Sequence, residues 1–177
     1  MRAVVIGISG AGKSTFARRL AQGIGAPHVE LDALHWDPGW TPAPAPVFAA
    51  RVAEATAGPA WVVDGNYSAV RDLIWPRATH LVWLDYERLP IMARVVRRSV
   101  GRALSGRELW NGNREDWRNW WHASHPIRWA WSQWRGRRQA IEALLAGGAY
   151  PGLQVRRLRR PGEAAAVLQA LLRDGQG

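Results

Sequence analysis

One eight-residue run carries chemistry in its spacing. Gly7-Ile8-Ser9-Gly10-Ala11-Gly12-Lys13-Ser14 fits the pattern G-x-x-x-x-G-K-[ST], between a short apolar run and a helix-forming stretch. Glycine at these positions lets successive backbone N–H groups curl around phosphate oxygens, which a Cβ would obstruct. The start of the next helix adds partial positive charge. Lys13 would then bridge the β- and γ-phosphates of ATP and Ser14 would hold Mg2+, with Gly7, Ser9, Gly10, Ala11, Gly12, Lys13, Ser14 and Thr15 as the nucleotide-binding set. Lys13 is the only lysine; the other 23 basic residues are arginine. A compact ammonium at this one place is hard to read as surface filler, although a glycine-rich turn with a solvated lysine is the bland alternative.

Two apolar runs end in aspartate, Trp61-Val62-Val63-Asp64 and Val82-Trp83-Leu84-Asp85. A magnesium-side carboxylate is expected at the end of a neighbouring strand. Asp64 is the better candidate because Gly65 follows it and permits close approach, whereas Asp85 is followed by Tyr86 and Glu87. The metal set is therefore Ser14 and Asp64. Asp32 closes a second strand-like run, His28 to Asp32. Ligands of open parallel sheets sit beyond the carboxyl ends of the strands, so Asp32 and Asp64 should face the crevice of the phosphate loop. Asp32 can orient or deprotonate an acceptor hydroxyl. His35, Trp36, Gly65 and Asn66 complete the acceptor-side set, and Trp36 and Trp40 can stack on a ring. Plainer readings stand beside these: Asp32 as a cap, His35 packed, the tryptophans covering a sheet edge.

The charge is +10 and uneven: residues 1–87 hold 7 basic and 8 acidic groups, residues 88–177 hold 17 and 6. The positive field of the second half favours an anionic partner. Arg94, Arg98 and Arg102 fall four apart on one helix face. Such a stripe repels itself unless an anion relieves it, and a mobile arginine lid over a transferring phosphoryl group would do so. A solvated or nucleic-acid-facing basic side is the alternative. Of the 12 tryptophans, 7 lie between Trp110 and Trp134. Trp117, Trp120 and Trp121 fit one helix face and Ile127, Trp131 and Trp134 another, which reads as a small aromatic core before it reads as base stacking or membrane contact. Asn111-Gly112-Asn113-Arg114 reads as a turn whose amides could also touch substrate.

Strands are expected at 3–8, 28–32, 60–64, 79–85 and 153–158. Helices are expected at 14–23, 47–57, 68–74, 90–104, 114–123, 127–145 and 163–173, with a loop over 37–46. Continuous apolar strands alternating with helices mark a parallel sheet covered on both faces, an α/β architecture. With 177 residues and no cysteine, the chain is read as one domain without disulfides, thiolate zinc or a cysteine nucleophile. The apolar run Ala3 to Ile8 is too short for a signal or a membrane span, so a cytoplasmic location is expected.

Gly7–Ser14, Leu31-Asp32-Ala33-Leu34-His35-Trp36, Asp64-Gly65-Asn66-Tyr67, the arginine helix and Leu109-Trp110-Asn111-Gly112-Asn113-Arg114 together resemble a bacterial group. It is the adenylate-kinase-like P-loop proteins labelled DNA topology modulation proteins. The resemblance covers most of the chain; its first motif is generic and the other four are specific to the group. More widely the layout is similar to small P-loop kinases such as adenylate, shikimate and gluconate kinases. This resemblance implies a three-layer P-loop NTPase fold with a five-stranded parallel sheet of order 2-3-1-4-5. It also implies an acceptor-binding segment (33–59) after the second strand, a helical Arg/Trp-rich lid (88–138) after the fourth, and adenine near Arg160-Pro161-Gly162. Adenylate kinases continue Asp-Gly as Asp-Gly-Phe-Pro-Arg; Asn66-Tyr67 replaces that continuation here, and the adenylate-specific arginine is missing.

The expectation is an ATP- and Mg2+-dependent small-molecule kinase spanning 1–177, monomeric or homodimeric, with Lys13, Asp32, Asp64, Arg94, Arg98 and Arg102 in catalytic roles. Its acceptor is a nucleotide, a nucleoside or another hydroxyl or phosphate compound. A nucleotide-dependent nucleic-acid-binding protein and a plain NTP hydrolase are the alternatives; peripheral membrane binding is weaker, for want of a clean amphipathic face.

Overall fold

Four successive apolar residues, Ala3 to Ile6, are buried on both faces, a demand only an interior strand meets. They form β1 (Arg2–Gly7) in a computed structural model that describes residues 1–88, 91–97, 108, 110–113 and 126–175, those from 126 to 133 by backbone alone. β1 pairs in parallel with β5 (Trp61–Asp64) on one side and β6 (His80–Leu84) on the other. β2 (His28–Glu30) lies outside β5 and β7 (Gln154–Leu158) outside β6, both parallel. The order is β2-β5-β1-β6-β7. The expected 2-3-1-4-5 differs in detail because the chain makes two further strands, β3 (Trp36–Asp37) and β4 (Thr41–Pro42). They pair antiparallel as a separate ribbon where a loop was expected.

Side chains alternate between two cores. Val5, Val62 and Val82 face α1 (Lys13–Ile24) and α7 (Glu163–Gly175), with Phe16, Leu20 and Leu171 from those helices. Val4, Ile6, Val63 and Leu81 face α3 (Ala45–Ala55) and the short α4 (Arg71–Ile74), with Phe48, Val52 and Ile74. Ile141 of α6 (Pro126–Ala146) enters the same core. The three expected layers, helix, sheet and helix, are therefore present. The helical turn expected to stop before Pro76 instead runs on as a 3-10 turn, Trp75–Arg77, with the proline at a helix-start position where its missing N–H costs nothing.

The second strand ends sooner than expected. Its ladder stops at the pair Glu30–Asp64, and Leu31–His35 forms a short helix, α2. Asp32 therefore sits in the first turn of α2 and not at a strand end. Packing explains the turn: Leu31 is buried against Gly65, where the backbone (φ 124°) leaves no room for a Cβ, which would lie 2.9 Å from Leu31 Cβ. Gly65→Ala should lower stability by about 1–3 kcal/mol, read as a lower midpoint in urea unfolding; an unchanged midpoint would contradict this packing.

Candidate functional site

The glycine loop opens directly from β1. Gly10 (φ 84°) and Gly12 (φ 93°) take the left-handed backbone that glycine alone adopts without strain. A Cβ on Gly10 would come within 2.3 Å of Val95 Cγ2, so the loop rests on the helix over 91–97, here α5, whose Ile91 and Val95 are buried. Among the described residues no atom lies within 4 Å of where a Cβ on Gly12 would stand. The loop is thus supported on the α5 side. Ala11 N–H donates to Ile8 O at 3.1 Å and Phe16 N–H to Gly12 O at 3.0 Å. Lys13 Nζ lies 3.4 Å from Ile8 O, folded back over the loop. Ser14 is half-buried and Thr15 exposed at the start of α1.

Of the two strand-end aspartates, Asp85 is taken up structurally. It accepts from Arg157 at 2.6 Å and lies 3.4 Å from Arg138 of α6, while Glu142 accepts from the same Arg157 guanidinium at 2.5 Å. The Arg157 hydrogen bond holds the Glu142 carboxyl below its usual range. Asp64 is buried beneath α1 and its Oδ2 meets His28 Nε2 at 2.9 Å. Donor atoms of His28, Glu30 and Asp64 lie within 4.8 Å of one another, spacing that a metal ion could bridge. The Glu30 oxygens, however, already accept from Trp110 Nε1 (2.9 Å) and Arg18 (3.5 Å).

On the acceptor side, Asp32 accepts a hydrogen bond from the Tyr67 hydroxyl at 2.5 Å. The His35 ring packs among Trp36, Phe48 and Tyr67, at centroid distances of 4.8, 5.0 and 4.6 Å. Burial lowers its basicity against the pull of Asp32 and Asp37. Trp36 and Trp40 meet edge to face at 5.8 Å, and Trp40 meets Trp110 at 6.4 Å. Asn66 lines a narrow crevice with Gly7, Ile8, Tyr86, Trp134 and Arg137. Its carbonyl accepts from Arg137 of α6 at 3.2 Å, and among the described residues its buried Oδ1 has no hydrogen-bond partner. Arg94 is exposed, its guanidinium 5.8 Å from the centre of the Tyr86 ring. Arg98, Arg102, Trp117, Trp120 and Trp121 lie outside the described residues, as does the side chain of Trp131. Trp134 packs on the sheet-side core and donates to Tyr86 O at 3.2 Å.

Tyr67, Arg137 and the fastening of 110–113 were not assigned to the site from sequence. Asn111 Nδ2 donates to Trp36 O at 2.5 Å and to Ala33 O at 3.2 Å; Asn113 Nδ2 donates to Asp37 O at 3.0 Å, and Asn113 Oδ1 accepts from Trp40 N–H at 2.7 Å. These amides hold the ribbon over 36–42 by its backbone. Two asparagines flanking a glycine were the only signal.

No protein-family model matches the chain, and no curated protein sequence matches it. Among solved structures the fold is similar to a gluconokinase from Sinorhizobium meliloti 1021, with a TM-score of 0.55 and 19% identity over 99% of this chain and 91% of that one. The likeness defines a kinase-like α/β fold with a five-stranded parallel sheet. Among the described residues no helix is long and apolar enough to cross a membrane. Asn113→Ala should remove the buried amide that ties 110–113 to the ribbon, costing about 1–3 kcal/mol and changing the near-UV circular dichroism of the Trp36–Trp40–Trp110 group; a wild-type spectrum and melting point would contradict the tie.

Proposed function

We propose that the chain is an ATP- and Mg2+-dependent phosphotransferase acting on a small molecule. One observation carries this reading: between a buried strand and a helix, a glycine loop braced on one side by α5 presents helix-start N–H groups, with no described atom within 4 Å of a Cβ on Gly12, beside the sole lysine. That arrangement suits a polyphosphate tail. The likeness to a gluconokinase structure supports a kinase in general. The finer likeness, to adenylate-kinase-like proteins and to the DNA topology modulation group, rests on the motifs alone.

In this reading the backbone of residues 7–15 binds the phosphates and Lys13 neutralises charge on the β- and γ-groups. Ser14 and buried Asp64 would hold the ion, which when bound screens phosphate charge during transfer. His28 orients Asp64. Asp32 faces the acceptor, with Trp36, His35, Gly65 and Asn66 around it. Arg94, with Arg98 and Arg102 beyond it, is assigned to close over the transferring group. Asp85 takes no part, since its carboxylate already serves Arg157 and Arg138.

Mg·ATP should raise the melting temperature of the wild-type chain by ligand linkage. Lys13→Ala should abolish most of that rise and cut ADP formation by about 100-fold or more. A wild type whose melting temperature ignores Mg·ATP, or a Lys13→Ala chain that behaves as wild type, would defeat the proposal.

A further inference from the structure

The geometry points to a binding site for a transition-metal ion of the zinc class at the end of the β2–β5 ladder, made by His28, Glu30 and Asp64. The sheet register assembles it. β2 and β5 run parallel, with His28 opposite Val62 and Glu30 opposite Asp64. Residues two apart on a strand share a face. All three side chains therefore stand on the face that carries Val62, the one covered by α1. His28 sits at the centre. Its Nε2 lies 2.9 Å from Asp64 Oδ2 and its Nδ1 lies 3.7 Å from Glu30 Oε1. One donor atom from each residue falls within 4.8 Å of the other two.

The distances suit an ion. Two ligand atoms on one zinc, each about 2.1 Å from it, stand about 3.0–3.4 Å apart. Nε2 and Oδ2 are already 2.9 Å apart, so an ion replaces the proton between them with little movement. The Asp64 side chain is 4% exposed and that of His28 14%. Two carboxylates converging on one imidazole in so sheltered a place concentrate negative charge, which a divalent cation neutralises. Glu30 is already oriented. Trp110 Nε1 donates to its Oε2 at 2.9 Å, leaving Oε1 on the His28 side. Carboxylates that ligate metals are steadied by outer hydrogen bonds of this kind. The Arg18 contact on Oε1 is long, 3.5 Å, and comes from an exposed side chain, so it is weak. The oxygen's second lone pair remains for an ion.

The donor set selects the ion. Magnesium and calcium take oxygen ligands, whereas an imidazole nitrogen with two carboxylate oxygens suits zinc and its neighbours. The site therefore differs from the magnesium set of the kinase reading. It shares Asp64 alone with that set and needs neither ATP nor an acceptor. Its structural effect is local. β2 is an edge strand of three residues, and its ladder with β5 stops at the pair Glu30–Asp64. An ion held there ties that last rung through side chains, so its binding stabilises the fold.

The test uses the full chain, stripped of metal with a chelator, kept without nucleotide and titrated with zinc chloride alone. Calorimetry should find zinc binding at His28, and the melting temperature should rise with zinc. Long-range 1H–15N NMR correlations of the five imidazoles should move first and furthest at His28. His28→Gln should weaken zinc binding by about 100-fold, and Glu30→Gln by about tenfold or more. Both should keep the far-UV circular dichroism of the metal-free wild type. Glu30→Gln, at the more exposed position, retains an oxygen for Trp110 and keeps the proposal testable if His28→Gln fails to fold. A roughly hundredfold excess of magnesium should leave the zinc bound. No zinc heat and no melting shift, wild-type affinity in Glu30→Gln, first shifts at another histidine, or ready displacement by magnesium would overturn the proposal. Because no nucleotide is present, it stands or falls apart from the kinase reading.

Discussion

Lack of room for a Cβ shapes the loop between β1 and α1. At Gly7 a side chain would press within 2.9 Å of the Leu84 carbonyl on β6, and at Gly10 it would strike Val95 on α5. Those contacts come from separate elements, so the loop is braced by both the sheet and a helix, and among the described residues nothing stands within 4 Å of a Cβ on Gly12. A loop held this way keeps its N–H groups aimed before any ligand arrives, which is the condition for strong anion binding without a large ordering cost. β1 is central in the sheet, so the loop leaves it between β5, which ends at Asp64, and β6, which leads toward α5.

Charge is distributed to match. The arginine-rich second half does not simply coat the surface. Arg138 and Arg157 converge on Asp85 and Glu142 at the β6–β7 side, and Arg137 reaches the Asn66 carbonyl. α6 is thereby tied to the body on two sides of the crevice, next to the Trp134 hydrogen bond to Tyr86 O. Opposite, the ribbon that follows α2 is secured by Asn111 and Asn113. Residues from beyond α5 thus fasten both the backbone at Asn66 and the ribbon over 36–42.

Much of the sheet was legible from sequence because buried parallel strands announce themselves as unbroken apolar runs, as at Ala3 to Ile6 and Trp61 to Val63. The glycine loop between β1 and α1 was legible because its glycines and lysine have fixed spacing. Local pattern failed where tertiary packing decided. Nothing in His28 to Asp32 marks the turn after Glu30; it exists because Leu31 buries against Gly65. The ribbon at 36–42 is hidden by prolines and glycine, and it holds because distant asparagines bind its backbone. Tyr67 entered the sequence reading only as the end of the run Asp64-Gly65-Asn66-Tyr67, and it is α2 that brings Asp32 to its hydroxyl. The choice of Asp64 over Asp85 rested on the glycine after it, whereas the structure shows Asp85 already engaged by Arg157, 72 residues away.

The central claim is that main-chain amides of one braced loop grip a polyphosphate. Backbone amide NMR of the full chain, titrated with inorganic tripolyphosphate and Mg2+, tests it without any contribution from a base or an acceptor. The account predicts the largest, saturable shifts at Gly10, Gly12, Lys13 and Ser14. Shifts confined to the arginines of α6 and β7, with those four amides unmoved, would contradict it.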